Sequence, residues 1–329
     1  MKTSKDQSAS SGLALWFPSA ERCALLGEAL TEPKEGEVRV KALFSGISRG
    51  TEALVFHGQV PEEEQERMRG PHMGGSFSFP VKYGYSMVGR VEAGPDGLVG
   101  RSVFCLHPHQ SDFITTANIV VPLPEVLPPR RAILAANMET ALNIVWDARI
   151  LPGDRVAVFG AGVVGSLTAF IASRIIGTEV VLVDPNSERR NLAQALDVAF
   201  AEVDALDSNF DVLINASASG DALVSALAHA DFEARIVEAS WYGTKTVTLP
   251  LGGAFHAKRL SIISSQVGAV SGRNRSRWSY SRRMSKALDL LCDPRLDAVI
   301  SGESAFSDIV DAYPRILADP GTLCHCIRY

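Results

Sequence analysis

No stretch constrains this chain more than Gly160-Ala161-Gly162-Val163-Val164-Gly165. It directly follows the apolar run Arg155–Phe159, which reads as a buried strand, and it opens a segment with helical spacing that reaches about Ile176. Between a strand and a helix, glycines permit a tight turn and bring backbone N–H groups to a helix N-terminus, where a phosphate is favoured. Glu179–Asp184 reads as the next strand, and Asp184 stands 19 positions after Gly165, near the ~20 at which a carboxylate meets an adenosine ribose. Gly160, Gly162, Val163, Val164 and Gly165 are therefore predicted to cradle a pyrophosphate. Asp184 is predicted to accept from the ribose hydroxyls and to favour NAD(H), because a carboxylate repels the extra phosphate of NADP. A glycine turn kept only as scaffold is the alternative. Arg189 and Arg190 lie where a 2′-phosphate would be met, but they read as solvated helix residues.

At 329 residues the chain exceeds the usual size of one hydrophobic core, which predicts two domains. Up to the proline-rich stretch Pro122–Pro129 it reads as mostly β. EVRVKALF (37–44) alternates apolar and polar residues, and short strands are expected at Val88–Glu92 and Ser102–Leu106, separated by turns such as Gly94-Pro95-Asp96-Gly97. A helix over Ala132–Arg149 changes the texture. After the glycine turn the alternation continues through a helix from about Ser187, FDVLINAS (210–217), a helix after Gly220, ARIVEAS (234–240) and LSIISSQ (260–266). These predict about five parallel strands covered on both faces. From about Arg273 the pattern departs again: a helix at Arg283–Cys292, the stretch Ile300–Phe306, a helix at Ile309–Leu317 and a strand at Leu323–Ile327. This tail is too short for a domain of its own and is expected to complete the first one. The expected boundaries are 1–136, 137–275 and 276–329.

The formal net charge of −5 gives no global pull toward nucleic acid, although Arg273, Arg275, Arg277, Arg282 and Arg283 cluster. That cluster reads first as a solvated surface and second as a site for a substrate carboxylate or phosphate. No apolar run approaches the ~20 residues of a membrane span. Met1–Ser11 is polar, without a secretory core, and reads as a loose tail on a cytoplasmic protein. Five scattered cysteines predict reduced thiols.

The order of β-rich domain, doubly wound domain and short return resembles the medium-chain dehydrogenase/reductase superfamily. Gly36–Val40, Gly46–Glu52, Gly84-Tyr85-Ser86, Pro152–Val156 and Asn215-Ala216-Ser217 also match it. Within it, SGISRGTE (45–52) and PVKYGY (80–85) resemble a branch that includes the bacteriochlorophyllide dehydrogenases. The likeness implies an α/β fold, a GroES-like β-rich catalytic domain plus a Rossmann domain, with cofactor contacts extending to Thr140 and Ser217. It also implies where zinc-dependent members keep their ligands. Those positions here are held by Ser48, by Tyr85 with Ser86, and by about Ala136, none of which offers thiolate, imidazole or carboxylate. The four-cysteine lobe for structural zinc is missing too.

Without that Lewis acid, hydrogen-bond donors must serve the reacting oxygen. Tyr85 is the first candidate, with Ser48 and Thr51 on a facing loop; each also has an ordinary packing or capping reading. Glu139, at the start of the helix into the second domain, is a candidate proton acceptor, and Asn143 faces the same side one turn on. A different metal site built from His57, His72, His107, His109, Glu52 and Glu139 is a lesser alternative. Cys324-His325-Cys326 reads as two small apolar groups on one face of a strand. Trp241-Tyr242, and less so Trp278 with Tyr280, are candidate walls for a planar heterocyclic substrate.

These features predict a zinc-independent oxidoreductase that passes hydride between NAD(H) and a secondary alcohol or ketone. Its partner is a small-molecule substrate, neither nucleic acid nor membrane. The alternatives are an NAD(P)H-dependent enone or quinone reductase and a non-catalytic NAD(H)-binding protein. The resemblance implies a homodimer joined through the edge near Leu260–Gln266.

Overall fold

The computed structural model describes residues 11–207 and 209–329; the expected N-terminal tail lies outside them, apart from Ser11, which opens the first strand. In chain order, β1 (Ser11–Ser19), β2 (Arg22–Ala29), β3 (Glu37–Ser48), α1 (Arg49–Phe56), β4 (Gly74–Gly75), β5 (Val81–Lys82), β6 (Met87–Ala93), β7 (Ser102–Cys105), β8 (Asp112–Thr116), β9 (Val121–Pro122) and α2 (Pro129–Ala132) come first. They are followed by α3 (Ala135–Ala148), β10 (Arg155–Phe159), α4 (Val163–Ala172), β11 (Glu179–Val183), α5 (Arg189–Ala195), β12 (Ala199–Ala201), β13 (Phe210–Asn215), α6 (Gly220–His229), β14 (Ala230–Glu238) and β15 (Ser261–Ser264). Last come α7 (Tyr280–Leu290), β16 (Ile300–Ala305), α8 (Ile309–Ala318) and β17 (Cys324–Arg328).

Two compact units result: the chain up to Ile133 with Gly302–Tyr329, and Leu134–Ser301. The chain therefore returns to the first unit at Gly302, later than the expected 276. Residues 276–301 stay in the second unit because α7 packs along α3 and its Arg283 is tied to Glu139.

The first unit holds two β-sheets. One runs β16-β17-β3-β6-β7-β9, with β8 paired to β3, and the other β2-β1-β5-β4. Along β3 the alternation seen in the sequence sends Val38, Val40 and Ala42 into a core with Met87, Val91, Val103 and Phe113. The returning β17 runs antiparallel to the end of β3, with Cys324 opposite Ser48. The β1–β2 hairpin had no counterpart in the sequence reading.

The second unit is a parallel sheet in the order β12-β11-β10-β13-β14-β15. Counted from β10 this is 3-2-1-4-5-6, the order of dinucleotide-binding sheets, in which ligands lie outside the carboxyl ends of the strands where the order reverses. It has one strand more than expected, the short β12. Phe159, Val183, Leu213, Leu223, Leu227 and Ile236 are among the residues filling one face. Caps fix the helix ends locally: Ser219 Oγ accepts from Ala222 N–H at the start of α6, and Arg149 in the left-handed region stops α3. Among the described residues no helix is long and apolar enough to cross a membrane.

Candidate functional site

Between β10 and α4 the backbone turns at Gly160, whose φ of +99° disfavours any side chain. A Cβ there would sit 2.8 Å from Ser217 Cα, and one at Gly165 would run into the Gly160 carbonyl oxygen. At Gly162 an added Cβ would meet nothing within 4 Å. The glycines thus close the turn against β13 and α4 while leaving open space over the helix N-terminus, and these features fit a pyrophosphate. At the end of β11, Asp184 Oδ2 accepts from Ala161 N–H at 2.7 Å and Oδ1 from Asn186 N–H at 2.9 Å. Both oxygens keep lone pairs for ribose hydroxyls. Arg190 is engaged away from that carboxylate: it lies 3.6 Å from Glu202 and over the Phe200 ring. Thr140 donates back to Ala136 O at 2.9 Å within α3.

A polar cluster that brings Ser217 and Tyr242, named separately in the sequence, together with Asn215 and Glu238 occupies the carboxyl ends of β13 and β14. The fully buried Asn215 donates from Nδ2 to Glu238 Oε2 at 2.8 Å, with Tyr242 OH 2.9 Å away. Its Oδ1 accepts from Ser217 Oγ at 2.6 Å. Tyr242 OH donates to Glu238 Oε2 at 3.1 Å, and Glu238 Oε1 accepts from Ser240 N–H at 2.8 Å. Burial, then the Glu238 carboxylate, push the Tyr242 phenol above its ordinary range. The sequence signals were Asn215-Ala216-Ser217, an acidic residue ending an apolar strand, and Tyr242, which was read as a wall for a planar substrate rather than as a partner of Glu238.

In the first unit the expected hydroxyls do converge. Tyr85 shares hydrogen bonds with the side chains of Ser48 and Thr51. Ser48 closes β3 and Thr51 sits in the first turn of α1, rather than on the loop expected for them, and Tyr85 lies in the segment between β5 and β6. Burial and the nearby Glu52 hold the Tyr85 phenol well above its ordinary range, while Ser48 and Thr51 pull it part of the way back. Beneath them Glu52 is completely buried and fully used. Its Oε1 accepts from Ser48 N–H at 2.8 Å; its Oε2 accepts from His109 Nε2 at 2.9 Å and from Tyr313 OH at 2.7 Å. Ser45 Oγ continues the chain, 2.8 Å from His109 Nδ1 and 2.9 Å from Tyr329 OH.

No family model matches the chain. Over 316 residues it is 23% identical to D-guloside 3-dehydrogenase of Escherichia coli K12, covering 84% of this chain and 90% of that protein. It is 29% identical over 212 residues to 2-desacetyl-2-hydroxyethyl bacteriochlorophyllide A dehydrogenase of Cereibacter sphaeroides, covering 58% of this chain and 61% of that one. An alcohol dehydrogenase from E. coli CFT073, solved with NADH, superposes with a TM-score of 0.78 at 16% identity, covering 97% of this chain and all of the other. The chain thus has the two-domain fold of these dehydrogenases and is distantly similar to them in sequence.

Within that fold the zinc-ligand positions carry the wrong chemistry for zinc. Ser48 and Tyr85 are bonded to each other, Ser86 Oγ donates to Ile133 O, and Ala136 has no ligating atom. Among the described residues no group of three His, Cys, Asp or Glu is placed to hold a metal. His57 pairs with Glu21; His72 meets Thr115 and lies beside His107, ring centres 5.0 Å apart, while His107 stacks on Phe113 and burial lowers its affinity for a proton. Only His109 meets Glu52.

Glu139 is not a free proton acceptor. It is the fifth residue of α3, buried, and its Oε1 accepts from Arg283 Nε at 3.0 Å. The same guanidinium donates to Asn143 Oδ1 at 2.7 Å and to Val267 O at 2.6 Å, so the shared face of Glu139 and Asn143 is filled by an arginine. Arg283, read with a solvated cluster, is 2% exposed. Its neighbours Arg273, Arg275, Arg277 and Arg282 are exposed. Trp278 packs on Trp146 under Arg282. Cys324 and Cys326 are both fully buried, whereas His325 turns to Ser304.

Proposed function

We propose that this chain is an NAD(H)-dependent, zinc-independent oxidoreductase that interconverts a secondary alcohol and a ketone. The observation that carries the reading is the pairing of a complete dinucleotide turn, Gly160–Gly165 with Asp184 fixed beside it, with a hydroxyl trio at the superfamily's metal positions. The cofactor supplies hydride chemistry; Val163 and Val164 open the helix under its pyrophosphate, and Thr140 and Ser217 border its path. Burial and the Glu52 charge both keep the proton on Tyr85. It therefore acts as a neutral donor to the carbonyl oxygen, with Ser48 and Thr51 orienting it and passing the proton on. Relatives named for a guloside and a bacteriochlorophyllide support an alcohol-bearing carbon as the reacting centre and leave room for a planar substrate beside Trp241. A homodimer through β15, whose outer edge is unpaired among the described residues, and a cytoplasmic location belong to the same reading.

Titration of the purified chain with NADH and NADPH, monitored by fluorescence, tests the cofactor half. NADH is expected to bind at least about tenfold more tightly, the size of one well-placed charge contact with a ribose against a phosphate. Tighter binding of NADPH would reject the assignment of Asp184.

A further inference from the structure

The cluster at the ends of β13 and β14 contains an anion with no cation to balance it. Glu238 accepts from Ser240 N–H, Asn215 Nδ2 and Tyr242 OH. All are neutral donors, and the carboxylate acts purely as an acceptor. Among the described residues no lysine or arginine pairs with it. Its place in the sheet gives that charge a use. Asp184 fixes the adenosine end of a dinucleotide over β11, and the Gly160 turn fixes the pyrophosphate over β10. The remaining half then extends in the opposite direction along the strand order, over β13 and β14. This is where Asn215, Ser217, Glu238 and Tyr242 gather.

Oxidised and reduced nicotinamide differ by one positive charge on the ring. We infer that Glu238 is a cofactor-poising residue, whose carboxylate, oriented by Asn215 and Tyr242, favours the cationic oxidised ring over the neutral reduced one. The inference rests on the nicotinamide reading above. Its chemical consequence is a direction. When hydride leaves the reduced ring for a carbonyl carbon, and the carbonyl oxygen takes up a proton, the ring becomes a cation and the carboxylate stabilises it. The bound couple is thereby poised to reduce the substrate. Nothing in the glycine motif encodes this, since that motif contacts only the phosphates and the adenosine side.

The test needs no substrate. Dissociation constants for NAD+ and NADH are measured by calorimetry on the full chain and on Glu238→Gln, Glu238→Asp and Tyr242→Phe. The ratio Kd(NAD+)/Kd(NADH) is expected to rise about fivefold or more in Glu238→Gln, through weaker NAD+ binding, as one lost charge in a partly wet site predicts. It should stay near the wild-type value in Glu238→Asp and Tyr242→Phe, which keep the charge. In the wild-type chain, raising the salt should move the ratio in the same direction as Glu238→Gln, a readout that survives if that variant fails to fold. Equal weakening of both nucleotides in Glu238→Gln, or a ratio indifferent to salt, would overturn the inference while leaving the cofactor reading intact. A wild-type chain that binds neither nucleotide overturns both.

Discussion

The glycine turn of the second unit and the hydroxyl trio of the first show two ways in which a chain stores a site. The turn is local. Strand, glycines, helix and Asp184 follow one another within about thirty positions, and the cofactor binding proposed for them would reside in backbone shape and a helix terminus. The trio is assembled from afar. Ser48 and Thr51 come from the end of β3 and the start of α1, Tyr85 from beyond β5, and the Glu52 network beneath them draws on His109, Tyr313 and Tyr329. The first kind of site leaves no room for added volume at Gly160 and Gly165. The second depends on which polar atoms find partners.

That contrast can be broken first at Gly165. A valine there must collide with the Gly160 carbonyl oxygen, so Gly165→Val should abolish measurable NADH binding, a loss of about a thousandfold or more in affinity by titration. Retained affinity would mean that backbone shape does not carry the first site. In the second site the largest effect is on stability. Glu52→Ala leaves His109, Tyr313 and Ser48 N–H buried without their acceptor and should cost about 3 kcal/mol in denaturant unfolding, with little change in NADH affinity if the chain remains folded. Tyr85→Phe removes a donor and leaves packing intact; kcat is expected to fall about a hundredfold with the NADH dissociation constant unchanged.

The smallest effect concerns Glu139. Burial raises its carboxyl above the ordinary range, and Arg283 only partly offsets this. The folded state therefore takes up this proton at a higher pH than the unfolded chain. The stability it contributes is fully present below the unfolded-state value and is lost as pH rises through the folded one. Glu139→Gln should flatten the pH–stability curve just above the ordinary carboxylate range; an unaltered curve would show that Arg283 cancels the effect of burial.

The same contrast explains what the sequence disclosed. The parallel sheet was legible because β10, β11 and β13 carry runs of three or more apolar residues and β14 a shorter one near its end, while β12, three residues long, has too little pattern to announce itself. The β1–β2 hairpin escaped because it begins where a polar tail was expected. Tyr85, Ser48 and Thr51 were reached through resemblance. Glu52 was named only as a stray carboxylate, since no local spacing links it to His109 or Tyr313. Arg283 looked like one member of an exposed cluster because its burial depends on α7 lying along α3, and Glu238 looked like the polar end of a strand. The deciding partners, His109 and Tyr313 for Glu52, Glu139 for Arg283 and Asn215 for Glu238, lie more than twenty residues away, where periodicity gives no information.

The central claim is that the hydroxyl trio stands in for the metal of the superfamily's zinc enzymes. The most direct test is the zinc content of the active protein, measured together with turnover before and after exhaustive chelation. The account predicts zinc far below one atom per chain and undiminished turnover after chelation. One tightly held zinc per chain, lost together with activity, would contradict it.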